Sequence, residues 1–349
     1  MTNPVFEAID LTRSFVPARS ALHRLGDRLS GKEPPVVRAV DRVTLSVGEG
    51  ETLGIVGESG CGKSTLARMI AGILPVTSGE RRFRGEDYRS FLRRKRDALK
   101  LQMIFQDPLS SLNPRLKVGE IIGEAAVLHR IVPRAAVKDY VADLLTRVGL
   151  SADSINRYPH QFSGGQRQRI GIARALAVKP ELLICDEAVA ALDVSVQAQI
   201  INLLMDIKQS SNLSMIFISH DLGVIRHLCD RVAVMYLGRV VELAKTEELF
   251  SAPTHPYTRM LLAGMPKISL KRREFLPIQG EIPSPLHPPS GCHFHPRCPS
   301  ATAECSVVRP EPRELAPGHI HTCLNEGRDA RKESTIRAAV TGTIKKVGA

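Results

Sequence analysis

One glycine-rich segment of the chain contains the residue types that bind phosphate. It follows the pattern G-x-x-x-x-G-K-[S/T] and consists of Gly57, Glu58, Ser59, Gly60, Cys61, Gly62, Lys63 and Ser64. Glycines let consecutive backbone N–H groups surround a phosphate, the lysine ammonium reaches the terminal phosphates, and the serine hydroxyl is a ligand for Mg²⁺. The segment, together with the following Thr65, therefore predicts a binding site for ATP and Mg²⁺.

The residues on either side of this loop have the pattern that the motif requires. The apolar stretch Thr52–Val56 predicts a strand before the loop, and Thr65–Ala71 predicts a helix after it. This strand–loop–helix context distinguishes a phosphate-binding loop from an ordinary glycine-rich turn, and the helix N-terminus adds a positive partial charge. We therefore favour phosphate binding over the simple turn.

A second glycine-containing segment predicts another helix N-terminus that faces an anion. It consists of Ser163, Gly164, Gly165 and Gln166, and a helix-forming stretch follows it. Ser163 is suited to cap that helix. Taken alone, the segment would indicate only an ordinary capped helix. Because one nucleotide does not need two phosphate-binding segments, its presence beside the first favours a contact with a nucleotide that another subunit binds.

Two apolar stretches end in polar residues that suit phosphate hydrolysis. Residues 181–187 predict a buried strand that ends at Asp186 and Glu187, and residues 215–221 predict another strand that ends near His220. In α/β sheets the carboxyl ends of the strands face the ligand. We expect Asp186 to hold Mg²⁺ through water, Glu187 to polarise the attacking water, and His220 to sense the γ-phosphate.

Three more residues are candidates for contacts with the nucleotide or with a second subunit. Gln106 follows the apolar run 101–105 and could contact both Mg²⁺ and the attacking water. Phe15 could stack on the adenine, although a single phenylalanine more often belongs to a core. Asp193 lies shortly after the strand that ends at Glu187 and could line a boundary between subunits.

The composition restricts the class of partner. The formal net charge is +12, which favours nucleic acid or an anionic membrane surface. The chain has no tryptophan and only 4% aromatic residues, so rings on which bases could stack are scarce. The N-terminal residues do not resemble a signal peptide, and no apolar run approaches the roughly 18 residues of a membrane span.

The order of the predicted elements indicates an α/β fold. From residue 52 to 240, buried-type strands alternate with helices, which predicts a parallel core sheet. Residues 1–50 show the period-two alternation of antiparallel strands, with a long insertion from Val16 to Pro35. We expect an ATPase domain at 1–265 with a helical lobe at about 107–165, an irregular proline- and cysteine-rich module at 266–330, and a disordered tail at 331–349.

Four of the seven cysteines lie in this C-terminal module: Cys292, Cys298, Cys305 and Cys323. ATP chemistry is cytosolic, and structural disulfides are rare in that compartment, so the four thiols predict a metal site. Their separations are 6, 7 and 18 positions, whereas structural zinc sites prefer closer pairs. Iron–sulfur clusters accept wider spacings. Spacing alone leaves both possibilities open, and zinc ligands could also come from His293, His295, His319 and His321.

Taken in order, these motifs resemble those of the ATPase subunits of ABC transporters over residues 5 to about 265. The resemblance covers the P-loop (57–64), the glutamine loop (Gln106), the signature (163–166), Walker B (Asp186 and Glu187), the D-loop (Asp193) and the histidine switch (His220). Residues 255–258, 280–285 and 291–299 look like those of dipeptide/oligopeptide importers. Residues 105–108 and 111–115 are most similar to the second of the two ATPases in such systems.

The resemblance implies an ATPase that binds ATP and Mg²⁺ and pairs face to face with a sister ATPase subunit or a second copy of itself. It also implies two transmembrane permease subunits, a substrate-binding protein, and a peripheral location at the cytoplasmic face of the cell membrane, with no nucleic-acid partner. It shifts the choice of metal towards a 4Fe–4S cluster on Cys292, Cys298, Cys305 and Cys323, with zinc as the rival. The substrate would be a di- or oligopeptide, and nickel or another small solute is the alternative.

Two positions depart from the family pattern. Ala188 stands where a proline usually follows the catalytic glutamate, and Ala190 occupies the serine position of the D-loop. The loss of the serine hydroxyl removes one hydrogen-bonding group from the interface between subunits, worth about 1 kcal/mol. Because Glu187 is intact, we still expect hydrolysis.

Other P-loop proteins are the competing interpretations. A nucleic-acid-handling ABC ATPase of translation or repair would typically carry two ATPase cassettes or a long coiled coil, and this chain has one P-loop and no heptad run. A stand-alone P-loop kinase or GTPase would leave Ser163–Gln166 without a role.

Overall fold

The structure is a computed structural model, and it describes residues 4–16, 36–94, 97–107, 111–190, 192–265 and 280–325. The chain divides into two compact units, Met1–Arg239 and Val240–Ala349. The insertion at 17–35, the start of the C-terminal module at 266–279 and the tail at 331–349 lie outside the described residues. The domain limits at 265 and 330 remain predictions. Within the described ranges, no helix has the length and apolar character to cross a bilayer.

An antiparallel sheet forms the N-terminal part of the first unit. Its strands are β1 (Phe6–Phe15), β2 (Val37–Val47), β4 (Ser78–Phe83) and β5 (Glu86–Asp87), in the order β2-β1-β4-β5. Adjacent strands pair antiparallel. Phe6, Ala8 and Leu11 of β1 are buried, whereas Asp10 is exposed, so one face of the strand packs on the core. This sheet confirms the prediction from the period-two alternation.

Five parallel strands form the core of the first unit. They are β3 (Thr52–Val56), β6 (Leu101–Ile104), β7 (Leu182–Asp186), β8 (Ser214–Ile218) and β9 (Arg231–Tyr236), in the order β9-β3-β8-β7-β6. All pairs are parallel. Every residue of β3, β7 and β8 is buried, which is typical of strands covered on both faces. Because the strands are parallel, their carboxyl ends share one edge of the sheet.

Helices connect these strands. They are α1 (Lys63–Ile70), α2 (Tyr88–Arg93), α3 (Val118–Leu128), α4 (Val137–Arg147), α5 (Gly164–Leu176), α6 (Val194–Ser211) and α7 (Leu222–Leu228). Three of them, α3, α4 and α5, lie between β6 and β7, in the region where an inserted helical lobe is predicted. The helices α3 and α4 approach closely, since a Cβ at Gly123 would lie 2.7 Å from Val137 Cγ2.

The second unit is organised around a buried carboxylate. Its elements are β10 (Arg239–Lys245, whose first residue belongs to the first unit), α8 (Thr246–Ser251), α9 (Pro256–Ala263), β11 (Arg313–Ala316) and β12 (His319–His321). The strand β12 pairs antiparallel with both β10 and β11. Glu242 of β10 is fully buried and accepts hydrogen bonds from Thr254 N at 2.8 Å and His255 N at 3.0 Å. His319 Nε2 lies 3.0 Å from the same carboxylate, which therefore joins β10, α9 and β12.

Candidate functional site

Close backbone contacts fix the conformation of the loop between β3 and α1. Gly62, the residue before α1, has a φ of +108°, and a Cβ there would lie 2.1 Å from the carbonyl oxygen of Ala39. A Cβ at Gly57 would lie 2.2 Å from the carbonyl oxygen of Met235. Only glycine fits these two positions, since a backbone carbonyl cannot move aside as a flexible side chain can. Gly60 differs, because nothing lies within 4 Å of its added Cβ.

The Lys63 ammonium is held inside the loop. Nζ donates to the carbonyl oxygens of Gly57 at 2.7 Å and Glu58 at 3.0 Å, and the residue is only 5% exposed. Cys61 Sγ lies 3.9 Å from the same nitrogen. Burial raises the pKa of the Cys61 thiol above its ordinary value, although Lys63 opposes the shift. The ammonium therefore lies where it can exchange the two carbonyl oxygens for phosphate oxygens.

Ser64 and Asp186 come together at the carboxyl end of the sheet. The Ser64 hydroxyl donates to Asp186 Oδ1 at 2.9 Å, and Asp186 is only 2% exposed. Burial raises the pKa of Asp186, while the Ser64 hydrogen bond and the Arg68 guanidinium act in the opposite direction. Magnesium prefers oxygen ligands of this kind, and a cation would compensate a buried carboxylate. The pair fits the predicted Mg²⁺ site.

The three predicted catalytic residues lie next to one another. Gln106 Nε2 donates to Glu187 Oε2 at 2.8 Å, and His220 Nδ1 lies 3.8 Å from Glu187 Oε1. Glu187 itself has a φ of +49°, and its N–H donates to the carbonyl oxygen of Ile218 at 3.1 Å. The Glu187 side chain is 18% exposed and that of His220 is 63% exposed. A partly exposed carboxylate whose two oxygens both lie near polar side chains is suited to orient a water molecule.

The predicted capping of the second glycine-containing segment is present. The Ser163 hydroxyl accepts from Gln166 N at 3.3 Å, and Gln166 Oε1 accepts from Ser163 N at 3.0 Å, so both residues cap α5. Ser163, Gly164 and Gln166 are exposed, which leaves this helix N-terminus open to solvent. A Cβ at Gly165 would lie 2.3 Å from Val196 Cγ1 on α6, so α5 approaches the helix that follows Asp193.

The remaining predicted residues of the nucleotide site lie on the elements expected for them. Ser59 is exposed in the loop, and Thr65 is half-buried in the first turn of α1. Phe15 is the last residue of β1 and is half-buried, and the Arg13 guanidinium lies 4.7 Å from the centre of its ring. Asp193 is exposed and directly precedes α6. Contacts of Phe15 with adenine, and of Asp193 with a second subunit, remain predictions.

The four C-terminal cysteines line one cavity in the second unit, together with His255, Phe294, His295 and Asn325. All seven cysteines of the chain are free thiols. Burial raises the pKa of Cys292, and it raises the pKa of Cys298 to about 11. Backbone N–H groups oppose these shifts: those of Phe294 and His295 at Cys292, and that of Ser300 at Cys298. The module thus gathers the thiols that were predicted to act together.

A metal at this module is not confirmed. Among the described residues, no group of three or more His, Cys, Asp or Glu side chains could hold a metal ion. Two of the histidines considered as zinc ligands have other partners. His319 Nε2 lies 3.0 Å from the Glu242 carboxylate, and His295 Nδ1 lies 2.9 Å from the carbonyl oxygen of Cys292. Neither the iron–sulfur cluster nor its zinc rival is therefore more than a prediction at this point.

Sequence reasoning missed several neighbours of these cysteines. The ring of Phe294, which lines the cavity, packs against two other rings. Its centre lies 5.8 Å from the centre of the His255 ring and 5.3 Å from that of the Tyr257 ring. The family resemblance singled out residues 255–258 but gave them no role. Thr302 and Asn325, which contact Cys305, carry no motif at all. Only the fold brings these residues together.

Comparison with families of known proteins gives two matches. Residues 40–190 match the family model described as ABC transporter. Residues 241–305 match the one described as oligopeptide/dipeptide transporter, C-terminal region.

Individual proteins are similar over most of the chain. The oligopeptide transport ATP-binding protein OppF of Salmonella typhimurium is 52% identical over 286 residues, covering 79% of this chain and 85% of that protein. AppF, an oligopeptide transport ATP-binding protein of Bacillus subtilis, is 47% identical over 327 residues, covering 91% and 96%. The solved structure of cbiO1 from Clostridium perfringens, part of an ABC transporter complex, superposes with a TM-score of 0.59 at 25% identity, covering 72% of this chain and 92% of that one. These matches confirm the predicted fold class.

Proposed function

The chain belongs to the ABC-transporter family of oligopeptide transport ATP-binding proteins, and from that premise we propose that it hydrolyses ATP to power the import of di- and oligopeptides. The observation that most directly supports this proposal is the proximity of the Gln106, Glu187 and His220 side chains. They meet at the sheet edge where the loop at 57–64 also begins.

The loop and the residues around it bind the nucleotide. Lys63 exchanges the carbonyl oxygens of Gly57 and Glu58 for oxygens of the β- and γ-phosphates, and the backbone N–H groups of the loop surround the β-phosphate. Ser64 and Asp186 would hold Mg²⁺, and the ion would supply positive charge to stabilise the phosphates. Phe15 stacks on the adenine, and the nearby Arg13 guanidinium steadies its ring.

Hydrolysis is assigned to the carboxylate after β7. Glu187 accepts a proton from, or polarises, the water that attacks the γ-phosphate in line with the leaving oxygen. The Gln106 amide orients that carboxylate, and His220 senses the γ-phosphate from the end of β8. A positioned base of this kind contributes about 10²- to 10⁴-fold to the rate.

A second ATPase subunit completes the site. The N-terminus of α5, capped by Ser163 and Gln166, is open to solvent, and a helix N-terminus attracts anions. We assign it to the γ-phosphate that the sister subunit binds, in a face-to-face pair in which Asp193 lines the interface. The sister is either a different ATPase or a second copy of this chain.

The transport function requires further partners. Two transmembrane permeases carry the peptide, a substrate-binding protein supplies it, and this chain is a peripheral subunit at the cytoplasmic face of the membrane. The proposal of a peptide substrate is supported by the names of the relatives and by the match of residues 241–305 to the C-terminal region of oligopeptide/dipeptide transporters.

We also propose a 4Fe–4S cluster on Cys292, Cys298, Cys305 and Cys323. Two observations support it: all four thiols line one cavity, and backbone N–H groups face the sulfurs of Cys292 and Cys298, as donors do in iron–sulfur proteins. The ligands of a cluster lie farther apart than the ligands of a single metal ion. The four thiols are compatible with this wider arrangement, since they form no single-ion site among the described residues. The proposed role is structural, because the module is small and rich in proline.

Reconstitution tests the proposed transport function. The chain, a sister ATPase subunit and the two permeases are placed in liposomes with the binding protein, and both ATP hydrolysis and uptake of a labelled peptide are measured. We expect weak hydrolysis by the isolated chain, faster hydrolysis by the complex, and further stimulation by peptide-loaded binding protein. Full activity in a monomeric sample, or stimulation by RNA instead of by the binding protein, would contradict the proposal.

Anaerobic purification tests the proposed cluster separately. We expect a brown protein with about four irons per chain. A colourless protein with one zinc would establish the rival site, and it would leave the ATPase assignment intact.

A further inference from the structure

Cys305 differs from Cys292 and Cys298 in the donors that face its sulfur. At Cys292 and Cys298 the donors are backbone N–H groups. At Cys305 two side chains face the sulfur: Thr302 Oγ1 lies 3.4 Å from Sγ, and Asn325 Nδ2 lies 3.6 Å from it. Cys305 is only 6% exposed, so water has little access to replace these groups.

The fold fixes both donors in place. Asn325 Nδ2 also donates to the carbonyl oxygen of Ser300 at 2.7 Å, which orients the amide with its nitrogen towards the sulfur. Thr302 directly precedes the short 3-10 turn Ala303–Ser306 that carries Cys305, and Cys305 N donates to the carbonyl oxygen of Thr302 at 3.0 Å. One donor thus comes from the turn itself and the other from the segment that carries Cys323.

The direction of the hydrogen bond between Thr302 and Cys305 depends on the state of the sulfur. A thiol could donate to the Thr302 hydroxyl, whereas a metal-bound thiolate has no proton, so the hydroxyl must donate to it. The Asn325 amide donates in either state. A metal-bound Cys305 thiolate therefore accepts a hydrogen bond from each of the two side chains.

We propose that Thr302 and Asn325 are positioning residues for the Cys305 thiolate, and that their two hydrogen bonds raise the reduction potential of the cluster and retain its iron. The inference rests on the proposed cluster. Donors to a ligand sulfur withdraw electron density from the cluster, which favours the reduced state. Replacement of residues that orient metal ligands typically lowers metal affinity by about 10- to 100-fold.

The test uses the full chain, purified anaerobically. Thr302→Val removes the hydroxyl and keeps the shape, Thr302→Ser keeps the hydroxyl, and Asn325→Leu removes the amide donor. Ser306→Ala is the matched control, because its hydroxyl lies in the same turn but donates to the carbonyl oxygen of Ala303 at 2.7 Å. Iron per chain, the midpoint potential by EPR-monitored titration, and the rate of iron loss to a chelator are measured for each.

We expect Thr302→Val and Asn325→Leu to shift the midpoint to more negative potential and to lose iron about tenfold faster. Thr302→Ser and Ser306→Ala are expected to stay within about twofold of the unchanged chain. The inference would be supported equally if the Thr302→Val protein were purified without iron while the Thr302→Ser protein retained it. Unchanged potential and iron loss in both Thr302→Val and Asn325→Leu would overturn it and leave the cluster standing. An unchanged chain without iron would overturn the cluster as well, whereas ATP hydrolysis by the complex reports on the transport function independently.

Discussion

The side-chain amide of Gln106 donates a hydrogen bond to Glu187 at 2.8 Å, although the two residues are 81 positions apart in the chain. Gln106 follows β6 and Glu187 follows β7, and these strands are neighbours in the parallel sheet. Each strand therefore delivers one partner of the pair to the same edge. Since Gln106 is exposed and starts the connection to the helices α3 to α5, a movement of that connection would change how the carboxylate is oriented.

Replacement of Glu187 by glutamine tests the catalytic assignment. The amide keeps the size of the side chain but cannot accept a proton from water, so we expect ATP hydrolysis by the complex to fall at least about 100-fold while ATP binding persists. Nucleotide-bound dimers should accumulate, and their population is measured by gel filtration with ATP. Glu181→Gln is the control, since Glu181 lies beside the other end of β7 and pairs with Arg84 at 2.5 Å. Near-normal turnover in Glu187→Gln would exclude the assignment.

Removal of the Gln106 amide tests whether it orients Glu187. We expect Gln106→Ala to lower the maximal rate of ATP hydrolysis by about tenfold with little change in nucleotide affinity, because a misplaced base costs rate more than binding. Gln102→Ala is the matched control, since the Gln102 amide donates only to the carbonyl oxygens of Leu99 and Leu101, at 3.0 Å each. Equal rates for the two variants would show that the hydrogen bond has no catalytic consequence.

Two glycines of the P-loop should respond differently to the same substitution. A Cβ at Gly62 would lie 2.1 Å from the Ala39 carbonyl oxygen, whereas nothing lies within 4 Å of one at Gly60. We expect Gly62→Ala to destabilise the chain by about 2 kcal/mol or more and to abolish ATP binding. Gly60→Ala meets only the strain of its positive φ, about 1 kcal/mol. Thermal unfolding and binding of a fluorescent ATP analogue are measured for both, and similar behaviour of the two variants would refute this explanation.

Acid should weaken the second unit through His255. Burial lowers the pKa of His255 from 6.5 to about 4, although Glu242 acts in the opposite direction. Between these values the unfolded chain binds a proton that the folded chain does not, so stability is fully present above pH 6.5 and is lost as the pH falls towards 4. Hydrogen exchange of residues 253–260, corrected for the intrinsic rate, is compared at pH 7, 6 and 5.

His255→Gln should flatten this pH dependence, and the exposed His287→Gln should leave it unchanged. Burial alone would raise the pKa of the adjacent Glu242, but the Thr258 side chain and hydrogen bonds from Thr254, His255 and His319 lower it. The Glu242 carboxylate therefore stays charged across the same window. An equal loss of protection in His255→Gln would assign the effect to another group.

The nucleotide site could be predicted from the sequence because its residues follow local rules. A P-loop needs glycines at fixed spacing between a strand and a helix, and the residues after buried parallel strands meet at one edge. Asp186, Glu187, Gln106 and His220 were assigned in this way, and the structure brings Asp186 to Ser64 and the other three to one another. The capping of α5 by Ser163 and Gln166 is also a local pattern.

The second unit could not be predicted to this depth. The contact of Glu242 with His319 joins residues 77 positions apart, and that of Cys305 with Asn325 joins residues 20 apart, on segments without a periodic pattern. Glu242 lies among apolar neighbours in β10, and one of its partners, His319, is supplied by the pairing of β10 with β12. Such side-chain hydrogen bonds depend on how distant segments are positioned against each other in the fold. The sequence of one segment does not specify that arrangement.

The hydrogen bonds of the Lys63 ammonium have a consequence for the energetics of nucleotide binding. Lys63 Nζ already donates hydrogen bonds to two carbonyl oxygens of its own loop. When ATP binds, these hydrogen bonds are replaced by hydrogen bonds to phosphate oxygens. The net gain in free energy at Lys63 is therefore the difference between phosphate oxygens and carbonyl oxygens as acceptors.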